Sequence, residues 1–273
     1  MTKDVFKFSG RPEFRNPALI VGWGEDAGKL SPKVINYLNS RIRSKSFCEI
    51  EPGCFFSLDG VAIENNVARF PENKFYYSED NNLVIFKGYE PQFERYGFLS
   101  AILDVAQQHC EVKELFTISG TVSAIAHTDE RRILTVFNQE EFQEELAGYG
   151  LEDMTWEGLP AVSTYLLWLA EKRGIMGVSL WPEIPFYLAG GEDFEAIKVV
   201  LSFLDKRFKL GLDLKELNEK IVEQNSKIAR LREKNSDINR YIGTLEGGLS
   251  LDEVEQLELV RVVTEALGEG IRE

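Results

Sequence analysis

Along the first two-thirds of the chain, short runs of consecutive apolar residues alternate with runs in which apolar residues recur every three or four positions. That alternation is what builds a sheet covered by helices. The strand 18–22 (ALIVG) opens it, the glycine-rich turn GWGEDAGKL follows, and Ser31 precedes Pro32 at the first helical position. Val34, Ile35, Leu38 and Ile42 then recur at helical spacing. Further strands are predicted at 47–50, 67–70, 75–78, 83–86, 115–119, 133–137 and 175–180, and helices at 93–109, 139–147, 161–172 and 194–208. Residues 54–78 are richer in strands than in helices, which predicts a hairpin insertion or a mixed edge of the sheet.

After Gly211 the pattern changes. Glycine vanishes until Gly243, proline disappears, and charged residues surround a heptad series. Leu214, Ile221, Ile228, Asn235 and Ile242 fall at a positions, and Leu217, Gln224, Leu231, Ile238 and Leu245 at d positions. The spacing predicts one helix over 213–245, roughly 50 Å long at about 1.5 Å per residue, projecting from the body of the protein. The glycines at 247 and 248 end it, and Ser250 with Glu253 reads as a capping box for a second helix ending near Leu267. The division expected is therefore an α/β domain over 1–211 and a coiled-coil-like helical hairpin over 212–273. A polar residue such as Asn235 at an a position ordinarily fixes register and oligomer number. Leu217, Ile221, Ile228, Leu231, Asn235 and Ile238 are thus the expected oligomerisation residues of a homo-oligomer, although the seam could instead pack on the chain's own second helix.

Charge narrows the partners. With 31 Lys and Arg against 45 Asp and Glu the net charge is −14, which repels nucleic-acid backbones and anionic membranes. The 44% hydrophobic content suits a folded core, and no apolar run approaches the roughly 18 residues of a membrane span. Three cysteines, Cys48, Cys54 and Cys110, form neither a CxxC pair nor a zinc-spaced cluster. No metal or cofactor is expected, and the cysteine usage and the opening residues suggest a soluble, cytoplasmic protein.

Candidate chemistry is sparse. The turn Gly22, Trp23, Gly24, Glu25 lies between a strand and a helix, where backbone amides could hold an anion, but it is not GxGxxG and Glu25 with Asp26 would repel phosphate. His109 and His127 are the only histidines. His109 closes a helix, where its charge would complement the dipole. His127, beside Thr128, follows a strand where α/β folds place ligand contacts, and a Ser119, His127, Asp129 triad can be drawn without the GxSxG elbow that it would need. The acidic pairs, Glu192 with Asp193 among them, read as solvated surface. The segment Trp181 to Leu188 (WPEIPFYL) reads as a stiff aromatic and proline loop, a pocket wall or an interface, which adds Trp181, Glu183 and Tyr187 to the candidates.

Several ordered segments carry a family likeness: PALIVGWGEDAGKLSPKVINYL, IFKGYEPQFERYGFLSAIL, AHTDERR, GLPAVSTYLLWLAEKRGI, SLWPEIPFYLAGGEDFEAIKVVLSFL and GLDLKEL. The chain resembles the proteasome assembly chaperone 2 family from about Pro17 to Leu217. The resemblance implies an α/β domain with a mixed sheet flanked by helices, similar to the phosphorylase/hydrolase-like fold. It also implies chaperoning of proteasome α-rings in eukaryotes and chaperone-like oligomers in archaea. Its motifs fall on Gly22, Trp23 and Gly24; on Gly88, Glu90 and Pro91; on His127 and Thr128; on Gly158 and Pro160; and on Pro185 and Tyr187, none with a catalytic role. The hydrophobic-Tyr-any tail of proteasome-binding members is here Ile271-Arg272-Glu273, without the tyrosine.

The reading reached is a non-catalytic oligomeric binding or assembly-chaperone-like protein with a protein client. The alternative is an enzyme acting on a nucleoside, phosphate ester or amide in a pocket at the strand ends. Candidate ligand or partner contacts are Gly22, Trp23, Gly24, Glu25, Glu90, His127, Thr128, Trp181, Glu183 and Tyr187. A pocket joining Trp23, Glu25, His127 and Glu183 would favour the enzyme.

Overall fold

The computed structural model describes residues 5–57, 62–64, 66–155, 157 and 161–268. The chain opens with β1 (Phe6–Phe8), β2 (Ala18–Trp23), α1 (Leu30–Arg41) and β3 (Lys45–Ile50). The hairpin β4 (Ala62–Glu64) and β5 (Val67–Arg69) precedes β6 (Lys74–Ser78), β7 (Leu83–Gly88), α2 (Arg95–Asp104) and β8 (Glu114–Ile118). Next come β9 (Thr121–Ser123), β10 (Ile133–Phe137), α3 (Glu140–Leu146), β11 (Glu152–Asp153), α4 (Val162–Glu171) and β12 (Met176–Pro185). Four helices close the chain: α5 (Phe194–Phe208), α6 (Lys215–Lys234), α7 (Ser236–Glu246) and α8 (Glu253–Leu267).

Ten strands form one mixed sheet in the order β1-β3-β6-β7-β2-β8-β12-β10-β11, with β9 pairing β12 off that path. Its centre is parallel, with Ala18 opposite Leu83 on one side of β2 and opposite Glu114 on the other, and β12 parallel to β8. The flank from β1 through β3 and β6 to β7 is antiparallel. The parallel strands are the ones written as unbroken apolar runs, because a parallel sheet is covered on both faces: β2 is buried at every position and β7 at all but one. The insertion expected within 54–78 is the separate hairpin β4–β5, whereas β6 joins the main sheet.

The chain forms two compact units. The first comprises Met1–Glu25, Ser31–Ser119 and Thr135–Leu180; the second comprises Asp26–Leu30, Gly120–Leu134 and Trp181–Glu273. Segments of the two units alternate along the chain. The first is centred on aromatic packing: Phe75 lies 4.8 Å from Phe86, and Phe55 lies 5.0 Å from Phe98, ring centre to ring centre, among Val21, Leu99 and Leu166. In the second unit α6 packs on α5, α7 and α8, and α8 packs on the single helical turn Phe186–Leu188.

Expectations for the C-terminal helices and for Trp181 to Leu188 are corrected here. The helix predicted over 213–245 is two helices, because Asn235 leaves the helical region (φ −133°, ψ 107°) and its Oδ1 accepts from the amides of Asp237 and Ile238 at 3.0 and 3.2 Å. A short polar side chain that caps its own backbone ends α6 and starts α7, so Asn235 is an N-cap and not a register residue in a seam. The seam itself is used inside one chain: Leu217, Ile228 and Ile238 are buried, Ile221 and Leu231 are half-buried, and Gln224 donates to the Glu192 carbonyl at 2.6 Å. The capping box belongs to Asp252 and Glu255, two residues later than expected, and it starts α8 at Glu253.

The second correction concerns Trp181 to Leu188. This is no presented loop: β12 continues through Pro185, one helical turn follows, and all of it is buried except the half-buried Trp181 and Phe186. The two prolines are compatible with this because β12 pairs there with the short β9, Glu183 opposite Thr121 and Pro185 opposite Ser123.

Candidate functional site

In the first unit, the turn after β2 is built for close packing. A Cβ on Gly22 would lie 2.3 Å from Ile35 Cγ1 and 2.6 Å from Ser31 Oγ, and one on Gly24 would lie 2.6 Å from the Tyr89 ring. The glycines thus let β2 approach α1 and let Tyr89 lie across the turn. Two of the amides that could have cradled an anion are used within the protein. Trp23 N donates to Ser31 Oγ at 2.9 Å, and Gly24 N donates to the Gly88 carbonyl at 2.7 Å. Trp23 is 1% exposed, its indole Nε1 donates to Ser163 Oγ at 2.8 Å, and Ser163 also contacts Ser119 Oγ at 3.0 Å. Glu25 and Glu90 are both exposed.

The second unit holds a buried polar network around His127. Tyr187 Oη accepts from the His127 amide at 2.5 Å and lies 3.0 Å from His127 Nδ1. Between the phenol and Nδ1, either the O–H donates to a bare Nδ1 or an Nδ1–H donates to the phenol oxygen, according to the imidazole tautomer. Burial, with Arg232 and Arg131 nearby, pushes the imidazole down to about 4, so it is neutral at pH 7. Burial likewise pushes the Tyr187 phenol up.

Arg131 ties the same loop to α5. Its Nε donates to Asp193 Oδ2 at 2.9 Å, with both side chains 1% exposed, and its Nη atoms donate to the carbonyls of Ala126, His127 and Asp129. Asp193 Oδ1 meanwhile accepts from the amides of Glu195 and Ala196, capping α5. Glu183 accepts from Arg132 at 2.6 and 2.9 Å and from Ser123 Oγ at 3.0 Å. Thr128 Oγ1 donates to Glu246, which Arg232 grips through two nitrogens at 2.6 and 2.9 Å. A bidentate pair of this kind holds the end of α7 to α6.

Of the sequence-predicted residues, the structure joins His127 to Tyr187 and leaves Thr128 and Glu183 with other partners. Trp181 Nε1 is buried with no protein acceptor. The triad drawn on paper is absent: Ser119 bonds Ser163, His127 bonds Tyr187, and Asp129 Oδ2 accepts from the Ala126 amide at 2.8 Å. Each of these three side chains is bonded to a partner other than the other two. Among the described residues, no three His, Cys, Asp or Glu side chains cluster to hold a metal ion. No disulfide forms, and burial pushes the thiols of Cys48 and Cys110 up to about 12, which leaves them unreactive. The Gly158 and Pro160 motif positions and the tail Ile271-Arg272-Glu273 lie outside the described residues.

Two features escaped the sequence reading. The Arg131–Asp193 pair had a usable signal, since Asp193 stands directly before an apolar helical run, where a capping side chain is expected. The other is a set of surface aromatics: Tyr89, Phe93 and Tyr96 at the start of α2, and Tyr165 with Trp168 on α4, whose rings lie 5.2 Å apart.

A mixed sheet covered by helices defines an α/β protein. The PAC2 family model matches residues 19–232, and the chain belongs to the PAC2 family. Solved structures share the fold at low identity. A Corynebacterium glutamicum protein of unknown function is 18% identical over 89% of this chain and 95% of its own, with a TM-score of 0.77. PbaB from Pyrococcus furiosus, an archaeal proteasome activator, is 24% identical over 83% of this chain and 98% of its own, with a TM-score of 0.69. A Mycobacterium tuberculosis proteasome-assembly chaperone homologue is 16% identical over 82% of this chain and 99% of its own, with a TM-score of 0.72. No curated protein matches the chain.

Proposed function

We propose that this protein is a non-catalytic, assembly-chaperone-like protein of the cytoplasm that works by holding a protein partner. The observation that carries the reading is the structural use of the groups around His127: its Nδ1 lies against the Tyr187 phenol, Arg131 binds Asp193, and Glu183 binds Arg132. Structural relatives titled as a proteasome activator and a proteasome-assembly chaperone homologue point the same way. The partner proposed is accordingly a protein subunit undergoing assembly. Self-association belongs to the same proposal. The seam being used internally, exposed apolar side chains left for it are Val222 on α6, Leu249 between α7 and α8, and Val254 and Leu257 on α8.

The test is capture of partners from native extract by the tagged chain, combined with turnover assays on nucleosides, phosphate esters and amides. The proposal expects a stoichiometric protein partner and no turnover. Turnover that is lost in a folded His127→Ala variant overturns it. Light scattering of Val254→Glu/Leu257→Glu reads self-association separately: a smaller mass supports the surface named, and an unchanged oligomer contradicts it.

A further inference from the structure

The loop leading into α2 and the first turn of that helix expose three aromatic rings that the core does not need. Tyr89, Phe93 and Tyr96 are 39%, 55% and 60% exposed, while their neighbours Phe86 and Phe98 are fully buried. A mobile loop could show such exposure by chance, but this one is pinned. The amides of Gln92 and Phe93 donate to the Phe55 carbonyl at 3.0 and 3.1 Å, Ser57 N donates to Gln92 Oε1 at 2.7 Å, and Tyr89 N donates to Asn73 Oδ1 at 3.1 Å. Between the two most exposed rings stands Glu94, a residue with a Cβ held in the left-handed region at φ 47° and making no side-chain cap bond to α2. That conformation is strained for a residue with a Cβ, and glycine or asparagine would avoid most of the strain. The rings are thus held outward by a fixed backbone, which lowers the ordering cost of binding to them.

The charges around them select the partner. Glu90 and Glu94 alternate with the rings along the chain, and Glu25 follows Gly24, against which the Tyr89 ring lies; all three glutamates are exposed. The one opposing charge between Gly88 and Tyr96 is Arg95, which acts on Glu90 and whose Nε donates to the Pro91 carbonyl at 3.3 Å. Aromatic faces beside carboxylates attract ammonium and guanidinium groups, and the rings bury the alkyl stems that carry them. We propose that Tyr89, Phe93 and Tyr96, framed by Glu25, Glu90 and Glu94, dock a protein segment in which lysine or arginine side chains alternate with apolar ones. This rests on the reading that the chain holds a protein partner, and it names that partner's chemistry.

The probe is an amphipathic Lys/Leu peptide, titrated against the full chain beside a Glu/Leu and a Lys/Ser peptide of equal length. The surface predicts that the Lys/Leu peptide binds about ten-fold or more tightly than either of the others. Phe93→Ala/Tyr96→Ala should weaken it about ten-fold with an unchanged melting temperature, since both rings are exposed. Glu90→Gln/Glu94→Gln should weaken it and flatten its salt dependence, whereas Glu140→Gln/Glu144→Gln, an equal loss of charge on α3, should do neither. Equal binding of the Glu/Leu peptide, or wild-type affinity in the folded Phe93→Ala/Tyr96→Ala variant, overturns the proposal. A native partner retained by that variant rejects this surface alone, whereas the absence of any native partner rejects the function reading beneath it.

Discussion

The Asp193 carboxylate serves Arg131 and the start of α5 at once, one oxygen accepting from the guanidinium at 2.9 Å and the other from the amides of Glu195 and Ala196 at 3.1 and 3.2 Å. Removing one partner strands the other charge in a site that is 1% exposed. Asp193→Ala is therefore expected to destabilise the protein by about 3 to 5 kcal/mol, measured by chemical denaturation. Asp193→Asn keeps the cap and loses the charge, so its cost isolates the ion pair. A loss below about 0.5 kcal/mol for the alanine variant would show that the pair holds nothing together.

His127 gives the fold a pH dependence of known sign. Its imidazole titrates at about 4 in the folded chain against the ordinary 6.5. Above 6.5 neither state takes a proton there, and as pH falls towards 4 the unfolded state binds one first, so the contribution is full above 6.5 and is lost as pH drops to 4. The loss is of order 3 kcal/mol at about 1.4 kcal/mol per pH unit. His127→Gln should be the flatter protein over that window in denaturation experiments. Parallel curves for the two would refute the assignment.

Asn235 separates the two readings of the C-terminal helices. As the cap of α7, Asn235→Ala should cost about 1 kcal/mol and Asn235→Ser much less. Asn235→Leu should destabilise to a similar degree as the alanine variant and leave the subunit number unchanged in light scattering. A change of oligomer on that substitution would restore an intermolecular seam.

Gly22 tests the turn after β2. The Cβ of Gly22→Ala would meet the buried Ile35 and Ser31 side chains at 2.3 and 2.6 Å, so a loss of about 1 to 3 kcal/mol is expected. Phosphate or nucleotide should not raise the melting temperature of the wild type, since the Trp23 and Gly24 amides are already bonded. A reproducible rise would reopen the anion site.

The strands at the centre of the sheet were legible because β2, β7 and β8 are apolar runs with turns at either end, and α5 was legible to the residue because Asp193 and Phe208 bound a clean helical period. The C-terminal period was equally clear and misled. Heptad spacing specifies which residues are buried but not against what, and Asn235 fits an a position and an N-cap equally well until its ψ is known. Trp181 to Leu188 was misjudged because two prolines suggest a loop, when β9, a strand of only three residues, was available to pair with it. The candidate site was legible in part: His127 and Tyr187 were both named, but their union, 60 residues apart in sequence, depends on tertiary structure. The surface rings at Phe93 and Tyr96 could not be told from core, since aromatic residues at a helix start serve either purpose.

The measurement that bears most directly on the central claim is quantitative capture of protein from native extract by the tagged wild-type chain and by folded Phe93→Ala/Tyr96→Ala and His127→Ala variants. The account predicts a defined protein bound in stoichiometric amount by the wild type, kept by the His127 variant and lost by the aromatic one. Contradiction would be no protein above background with any of them, together with consumption of a nucleoside, phosphate ester or amide by the wild type that His127→Ala abolishes.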